Sequence, residues 1–511
     1  MAFGFNVQTR AALAMPPDLD QDLDLDQDQD HHQAFDLLIH GGTVIDGSKA
    51  PRIDADVGIR GGRVVAMGGL ADAPAHQRLD ARGRIVAPGF IDAHAHDDLA
   101  LLTQAGMDFK LSQGVTTVVT GNCGISIAPL PPSAPLPMPL TLIDKPGHAR
   151  HARFADYLAQ LRATPAAVNM AALVGHTSLR ACAMNKLDRA ANAAEISQMQ
   201  ALLQEALDAG AIGMSTGTFY PPAMQASTDE IIQVGRPLTA AKAVYVTHMR
   251  NEGDQVLDAL DETFRIGQAL GVPVVVSHHK VQSPRNFGRS TETLAAIAQA
   301  MRGQRVCLDC YPYTAGSTMI RTDAGMLDGR VLIASSQPHP EMAGRELDAI
   351  AAEWAVDKVD AARRLQPGTA VYFLMDEADV QRIMAFEHIM IGSDGIPEGE
   401  RPHPRLWGSF PRVLGHYSRD LGLFPLETAV WKMTGLTAGN FGLHDRGRLQ
   451  VGLAADLVVF DAERVADMAS YERPVQAATG IDAVVVNGQL SWHQGEHTGA
   501  RAGQVLTRQS R

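Results

Sequence analysis

Residues 243–280 read AVYVTHMRNEGDQVLDALDETFRIGQALGVPVVVSHHK. A β-branched run around Val244–Thr247 gives way to a helix-like segment and then to a second β-branched run at Val274–Val276. Strand, helix and strand in that order imply two parallel strands joined by a crossover helix. Each strand run also ends on imidazoles, His248 in the first and the His278–His279 pair in the second.

The alternation continues on both sides. Strand-like runs GVTTVVTGNCG (114–124), VNMAALVGHTS (168–178), AIGMSTGTFY (211–220), RVCLDCYPY (305–313) and HIMIGSDG (388–395) are separated by helix-like stretches such as AAEISQMQALLQEALDAG (193–210) and TETLAAIAQAMRG (291–303). About eight such strands between residues 89 and 444 predict an α/β protein built on a (β/α)8, TIM-like barrel. An open doubly wound sheet fits less well, because no Gly-x-Gly-x-x-Gly phosphate loop follows the first strand. Residues 314–370 break the rhythm. They are too long for a βα loop and read as a helical lid insertion at the end of a barrel strand.

Outside the barrel the texture changes. Residues 36–88, with DLLIHGGTVIDG and ADVGIRGGRVVAMGG, and residues 445–511, with RGRLQVGLAADLVVFDAE and IDAVVVNGQLSW, are short β-rich runs punctuated by glycine. They predict one small β-sandwich-like domain assembled from both chain ends. Residues 1–35 stand apart: every second residue from Asp18 to Asp30 is Asp, seven in all. A strand with one wholly anionic face would repel itself, so this reads as a disordered acidic tail.

Composition narrows the function. Across 511 residues, 44 Lys and Arg face 57 Asp and Glu, a net charge of −13. That lacks the basic footprint of a general nucleic-acid binder. No apolar run approaches the ~20 residues of a membrane span, and the first residues lack a signal-peptide pattern. Four scattered cysteines make no disulfide framework. The expectation is a cytoplasmic globular protein, monomeric or a small homo-oligomer, that acts on a small molecule without nucleic-acid or membrane partners.

Chemistry gathers at the strand ends. GFIDAHAHDD (89–98) carries His94 and His96, which share a face by the period of two. Cys123, His248, His278 or His279, and Asp394 end other strands. Barrel strand C-termini converge on one rim, so these residues can meet. Imidazoles, a thiolate and a carboxylate form a donor set suited to Zn²⁺. Adjacent His278 and His279 face opposite ways on a regular strand, so only one of them serves. Cys307 and Cys310 form a Cys-x-x-Cys without a second pair inside a strand-like run, and both read as core residues.

The small β domain leading into GFIDAHAHDD, with GLAADLVVFD near the C-terminus, resembles the amidohydrolase superfamily. Within it, TGNCG, STGTFYPP, THMRNE, SHHK, YPYTAGST, GSDG and HPRLWGSFPRVLG resemble the N-acyl-D-amino-acid deacylases (D-aminoacylases), from about residue 36 to the C-terminus. The resemblance implies zinc-dependent hydrolysis of an N-acyl-D-amino acid to a carboxylate and a free D-amino acid. It implies Cys123, His248 and His278 as tight zinc ligands. His94 and His96, with Asp394 and with Cys123 as a bridge, match a second, weaker metal position. Asp394 matches the general base and acid. A cysteine stands where many amidohydrolases carry a carboxylated lysine between two metals, which leaves the number of metals open.

The resemblance also implies a substrate side. Lys280, Tyr311, Ser317 and Arg405 match residues that hold the substrate carboxylate or stand near the reacting carbonyl. Lys280, two residues past His278, is expected on the same strand face, beside the metal. Phe219, Met326, Tyr372 and Met375 match residues around the substrate side chain, and their apolar character suits D-Met, D-Leu or D-Phe. Arg321, in the insertion, suits an acidic side chain instead, which would make the chain an N-acyl-D-glutamate or N-acyl-D-aspartate deacylase. A cyclic amidase or D-dipeptidase is a further alternative; Cys123 and the HPR motif, poised for a free carboxylate, count against it.

Overall fold

Eight strands form the centre of the computed structural model: Phe90–Asp92, Val115–Thr120, Asn169–Gly175, Gly213–Gly217, Val244–His248, Val274–Val276, Val306–Cys310 and Ile389–Ile391. The structure describes residues 33–144, 147–148, 150–399 and 401–508, so the acidic run 18–30 lies outside the described residues. Each barrel strand pairs with its sequence neighbours, and every pairing is parallel. Every residue of these strands is buried, as a sheet covered on both faces requires. Ile91, Leu173, Ile212, Val246, Val275 and Met390 point inward and fill the barrel.

Helices cover the outside. Val256–Leu270 buries Val256, Leu260, Ile266 and Leu270 along one stripe and stops at Gly271, whose φ of 63° ends the helix in the left-handed region. Ala193–Ala209 begins with a capping box in which Asn192 and Glu195 satisfy each other's backbone N–H groups. The ring closes between the first and eighth strands by an Ala93 N–H donating to Ile391 O at 3.1 Å and by a single bridge between Ala95 and Gly395.

The small domain is built from both chain ends, as expected. Leu457–Phe460 pairs antiparallel with Ile85–Pro88, placing Val459 opposite Val86, inside a seven-stranded sheet. A four-stranded sheet containing Phe35–His40 packs against it through Leu37, Ile39, Val57, Val86 and Val485. A buried polar network ties this domain to the barrel. Asp456 accepts from Asn169 Nδ2 at 2.9 Å and from the Asn487 N–H at 2.7 Å, and it pairs with Arg446.

The insertion carries helices, Leu347–Glu353 and Lys358–Leu365, as the sequence suggests. It also carries a three-stranded antiparallel sheet that the sequence pattern does not announce. Gly368–Phe373 lies between Gly316–Met319 and Arg330–Ser336. Its last strand therefore ends beyond residue 370. The helices back this sheet through Ile333, Ile350, Leu365 and Ala370.

Candidate metal centre

The strand ends meet at one rim of the barrel. Cys123 Sγ lies 3.3 Å from His94 Nε2, 3.3 Å from His278 Nε2 and 3.6 Å from His248 Nδ1. Asp394 Oδ1 lies 3.2 Å from His96 Nε2 and 3.4 Å from His94 Nε2. Two donor groups result, His94–His96–Cys123–Asp394 and Cys123–His248–His278, each with its ligand atoms within 4.8 Å of one another. The thiol of Cys123 belongs to both. Burial opposes its ionisation, yet the imidazoles of His94 and His278 bring it well below the usual thiol value. One sulfur among nitrogens and a carboxylate oxygen matches the donor preferences of zinc.

Backbone geometry aims these side chains. Cys123 (φ 54°), His278 (φ 33°) and Asp394 (φ 48°) all occupy the left-handed region just past their strands. A non-glycine residue pays a steric cost there, and such residues concentrate at functional sites. The bend at His278 separates it from His279, whose Nε2 meets Thr293 Oγ1 at 2.9 Å in the helix layer. His278 is thus the one of the pair that faces the centre. Cys307 and Cys310 take no part. Both are buried core residues, and burial pushes the Cys307 thiol up to about 12.

Two carboxylates that the motif pattern did not single out support the donors. Buried Glu252 accepts from Lys280 Nζ at 2.6 Å and from Gln282 Nε2 at 2.8 Å. It also lies 3.1 Å from His278 Nδ1, which turns Nε2 toward Cys123. Burial alone would raise the Glu252 carboxyl; the Lys280 ammonium, then the imidazoles, hold it well below the ordinary range. Asp309 Oδ1 lies 3.3 Å from His94 Nδ1 and accepts the His278 N–H at 2.8 Å. Carboxylates in such positions orient metal-binding histidines. Glu252 lies within THMRNE and Asp309 within the run VCLDC, where an acid among apolar strand residues was the available signal.

A small cavity, with about 40 Å³ of space accessible to a water-sized molecule, opens beside the centre, and all eight residues assigned to the substrate side border it: Phe219, Lys280, Tyr311, Ser317, Met326, Tyr372, Met375 and Arg405. Arg405 is almost wholly buried, with Nη1 2.8 Å from Asp394 Oδ2 and Nη2 donating to Ser317 O at 3.0 Å. Its guanidinium stacks 4.6 Å from the Tyr311 ring, and its Nε has no hydrogen-bond partner among the described residues. Burial alone would raise the Asp394 carboxyl; Arg405, ahead of the imidazoles, holds it well below the ordinary range.

Three expectations need refinement. Lys280 borders the cavity with its ammonium engaged rather than free: it donates to Glu252 Oε1 at 2.6 Å and to His278 O at 2.9 Å and lies 2.7 Å from His278 Nδ1. Ser317 meets Arg405 through its carbonyl. The Tyr372 hydroxyl is engaged inside the insertion, accepting the Arg321 N–H at 2.8 Å and donating to Met319 O at 3.1 Å. Arg321 stacks 4.5 Å over Phe219 and pairs through Nε with Asp323 at 2.7 Å, while its buried Nη1 has no hydrogen-bond partner among the described residues.

Among the described residues, no helix is long and apolar enough to cross a membrane. The chain matches an amidohydrolase family model over residues 77–328 and 333–491. It is 60% identical over 476 residues to a D-aminoacylase of Alcaligenes xylosoxydans xylosoxydans, covering 93% of this chain and 98% of that one. A solved D-aminoacylase structure, from work on one-metal activation and second-metal attenuation in its binuclear centre, superposes with a TM-score of 0.91 at 60% identity. That match covers 93% of this chain and 100% of the other. The N-acyl-D-glutamate deacylase of Bordetella bronchiseptica, solved with zinc and a phosphonate mimic of the tetrahedral intermediate, superposes with a TM-score of 0.89 at 46% identity. It covers 93% of this chain and 100% of its own.

Proposed function

The chain belongs to the amidohydrolase family, and from that premise we propose that it is a zinc-dependent N-acyl-D-amino-acid deacylase. It hydrolyses the amide to a carboxylate and a free D-amino acid. The observation that carries this reading is the Cys123 thiol shared by two donor groups, with the Asp394–Arg405 pair alongside at 2.8 Å.

Cys123, His248 and His278 would hold the tight zinc ion. His94, His96 and Asp394, with the same thiol, would offer a second, weaker position. Zinc held there would make water a nucleophile at neutral pH and would supply Lewis-acid chemistry toward the acyl carbonyl. Asp394 accepts the proton of the attacking water and delivers it to the departing nitrogen, because an amine leaves only once protonated. Arg405 receives the substrate carboxylate through its free Nε and the rest of its planar fork. As that second carboxylate takes a share of the guanidinium, Arg405 stabilises the Asp394 anion less, and Asp394 becomes a better base. Tyr311 supports Arg405 from beneath, and Glu252 holds Lys280 and His278 in place.

Phe219, Met326 and Met375 give the cavity an apolar wall, which favours D-Met, D-Leu or D-Phe substrates. A second reading rests on Arg321, which pairs with Asp323 through Nε but whose Nη1, beside Phe219 and without a hydrogen-bond partner among the described residues, suits an acidic substrate side chain. Turnover of the N-acetyl derivatives of D-methionine, D-glutamate, D-aspartate and L-methionine, with zinc quantified in the same preparation, separates these. The expected order places D-methionine first and leaves L-methionine unhydrolysed. Faster D-glutamate or D-aspartate turnover selects the second reading, and zinc-loaded protein inactive on every D substrate refutes both.

A further inference from the structure

The barrel's seam holds a buried charge whose role the reaction scheme does not use. Lys110, on the short helix Asp108–Leu111 after the first strand, is fully buried. Its Nζ donates to Asp92 Oδ2 at 2.6 Å and to Ser393 Oγ at 3.0 Å, and it lies 3.1 Å from Asp97 Oδ2. Burying an ammonium is costly unless it is paired and hydrogen-bonded, and here every one of these partners belongs to the seam.

Asp92 Oδ1 accepts two backbone N–H groups, that of His94 at 3.1 Å and that of Ser393 at 2.8 Å. Ser393 Oγ accepts the Gly395 N–H at 3.0 Å, and the Asp394 N–H donates to His94 O at 2.7 Å. One ammonium and one carboxylate therefore fasten the segment bearing His94 and His96 to the segment bearing Asp394. This is where the ladder between strands one and eight is reduced to a single bridge. Asp394 sits there with φ 48°, a conformation that persists only when its surroundings enforce it.

We propose that Lys110 is a positioning residue, which through Asp92 and Ser393 sets Asp394 and the His94–His96 pair for amide hydrolysis. This rests on the deacylase reading above. The polar partners of Lys110, Asp92 and Ser393 named here include none of Cys123, His248 and His278, the residues that would hold the tight zinc ion.

The test compares Lys110→Met, which removes the ammonium, with Ser393→Ala, which removes only one hydroxyl link and leaves no buried charge unpaired. Measured are kcat, KM, tightly bound zinc, melting temperature and the affinity of the one-zinc protein for a second zinc equivalent. The expected result is kcat lowered by about ten- to a hundredfold in Lys110→Met and less in Ser393→Ala. KM stays nearly unchanged, one tight zinc remains per chain, and the second equivalent binds more weakly. A lowered melting temperature with wild-type kcat and wild-type second-zinc affinity overturns the proposal and makes Lys110 a folding element only. If Lys110→Met does not fold, Ser393→Ala alone decides between these two outcomes. If the wild-type protein hydrolyses no N-acyl-D-amino acid, the deacylase reading has failed, and second-zinc affinity still decides the role of Lys110.

Discussion

Asp394→Asn separates proton transfer from binding of the tight zinc, although Asp394 also belongs to the second donor group. The carboxamide has nearly the same shape, so the 2.8 Å approach of Arg405 and the 3.2 Å approach of His96 need not change much. What disappears is the ability to accept a proton from water and pass it to the amine nitrogen. General acid–base catalysis contributes roughly 10²–10⁴-fold, equivalent to about 2.7–5.5 kcal/mol of transition-state stabilisation. Both halves of the hydrolysis depend on Asp394, so the loss belongs at the upper end of that range. The tight donor group Cys123–His248–His278 does not include Asp394, so one zinc per chain remains. The assay is steady-state hydrolysis of N-acetyl-D-methionine, with zinc measured on the same protein by mass spectrometry. A zinc-loaded variant with kcat within about tenfold of wild type would place the base elsewhere. Loss of the tight zinc would recast Asp394 as one of its ligands.

Four further outcomes are expected. Arg405→Lys exchanges a planar fork for a point charge and should raise KM by about 10–100-fold, as losing a charged hydrogen bond of roughly 1.5–3 kcal/mol requires; an unchanged KM would place the substrate carboxylate elsewhere. Asp456→Ala removes one of the two carboxylates paired with buried Arg446, leaving Asp445, and takes the acceptor from Asn169 and the Asn487 N–H, so denaturant titration should show a loss of about 1–3 kcal/mol. Cys307→Ala and Cys310→Ala should keep full zinc content and near-normal kcat, since both thiols lie in the core; loss of zinc from either would contradict their assignment. Chelation should abolish turnover, and one equivalent of zinc should restore it; activity that survives complete metal removal would refute the metal requirement.

The barrel was legible because its strands are β-branched and end on chemically distinctive residues. His94, His96, Cys123, His248 and Asp394 could be named from those ends, the choice of His278 over His279 came from the family resemblance, and the six converge. The sheet of the insertion was not legible. Strand Arg330–Ser336 follows a short turn and pairs with Gly368–Phe373 more than thirty residues on, a non-local pairing that composition does not announce. The left-handed bends at Cys123, His278 and Asp394 are set by their surroundings, so residue type gave no warning. Glu252, Asp309 and Lys110 were hidden for a related reason. Each acquires its role only from neighbours far away in sequence, as when Lys110 meets Ser393 across the closing seam.

The most direct test of the central claim is X-ray absorption at the zinc edge of the one-zinc protein, compared with Cys123→Ser. The account predicts one sulfur at about 2.3 Å with nitrogen neighbours at about 2.0–2.1 Å, and loss of the sulfur signal in the variant. A wild-type spectrum without sulfur in the coordination shell would contradict it.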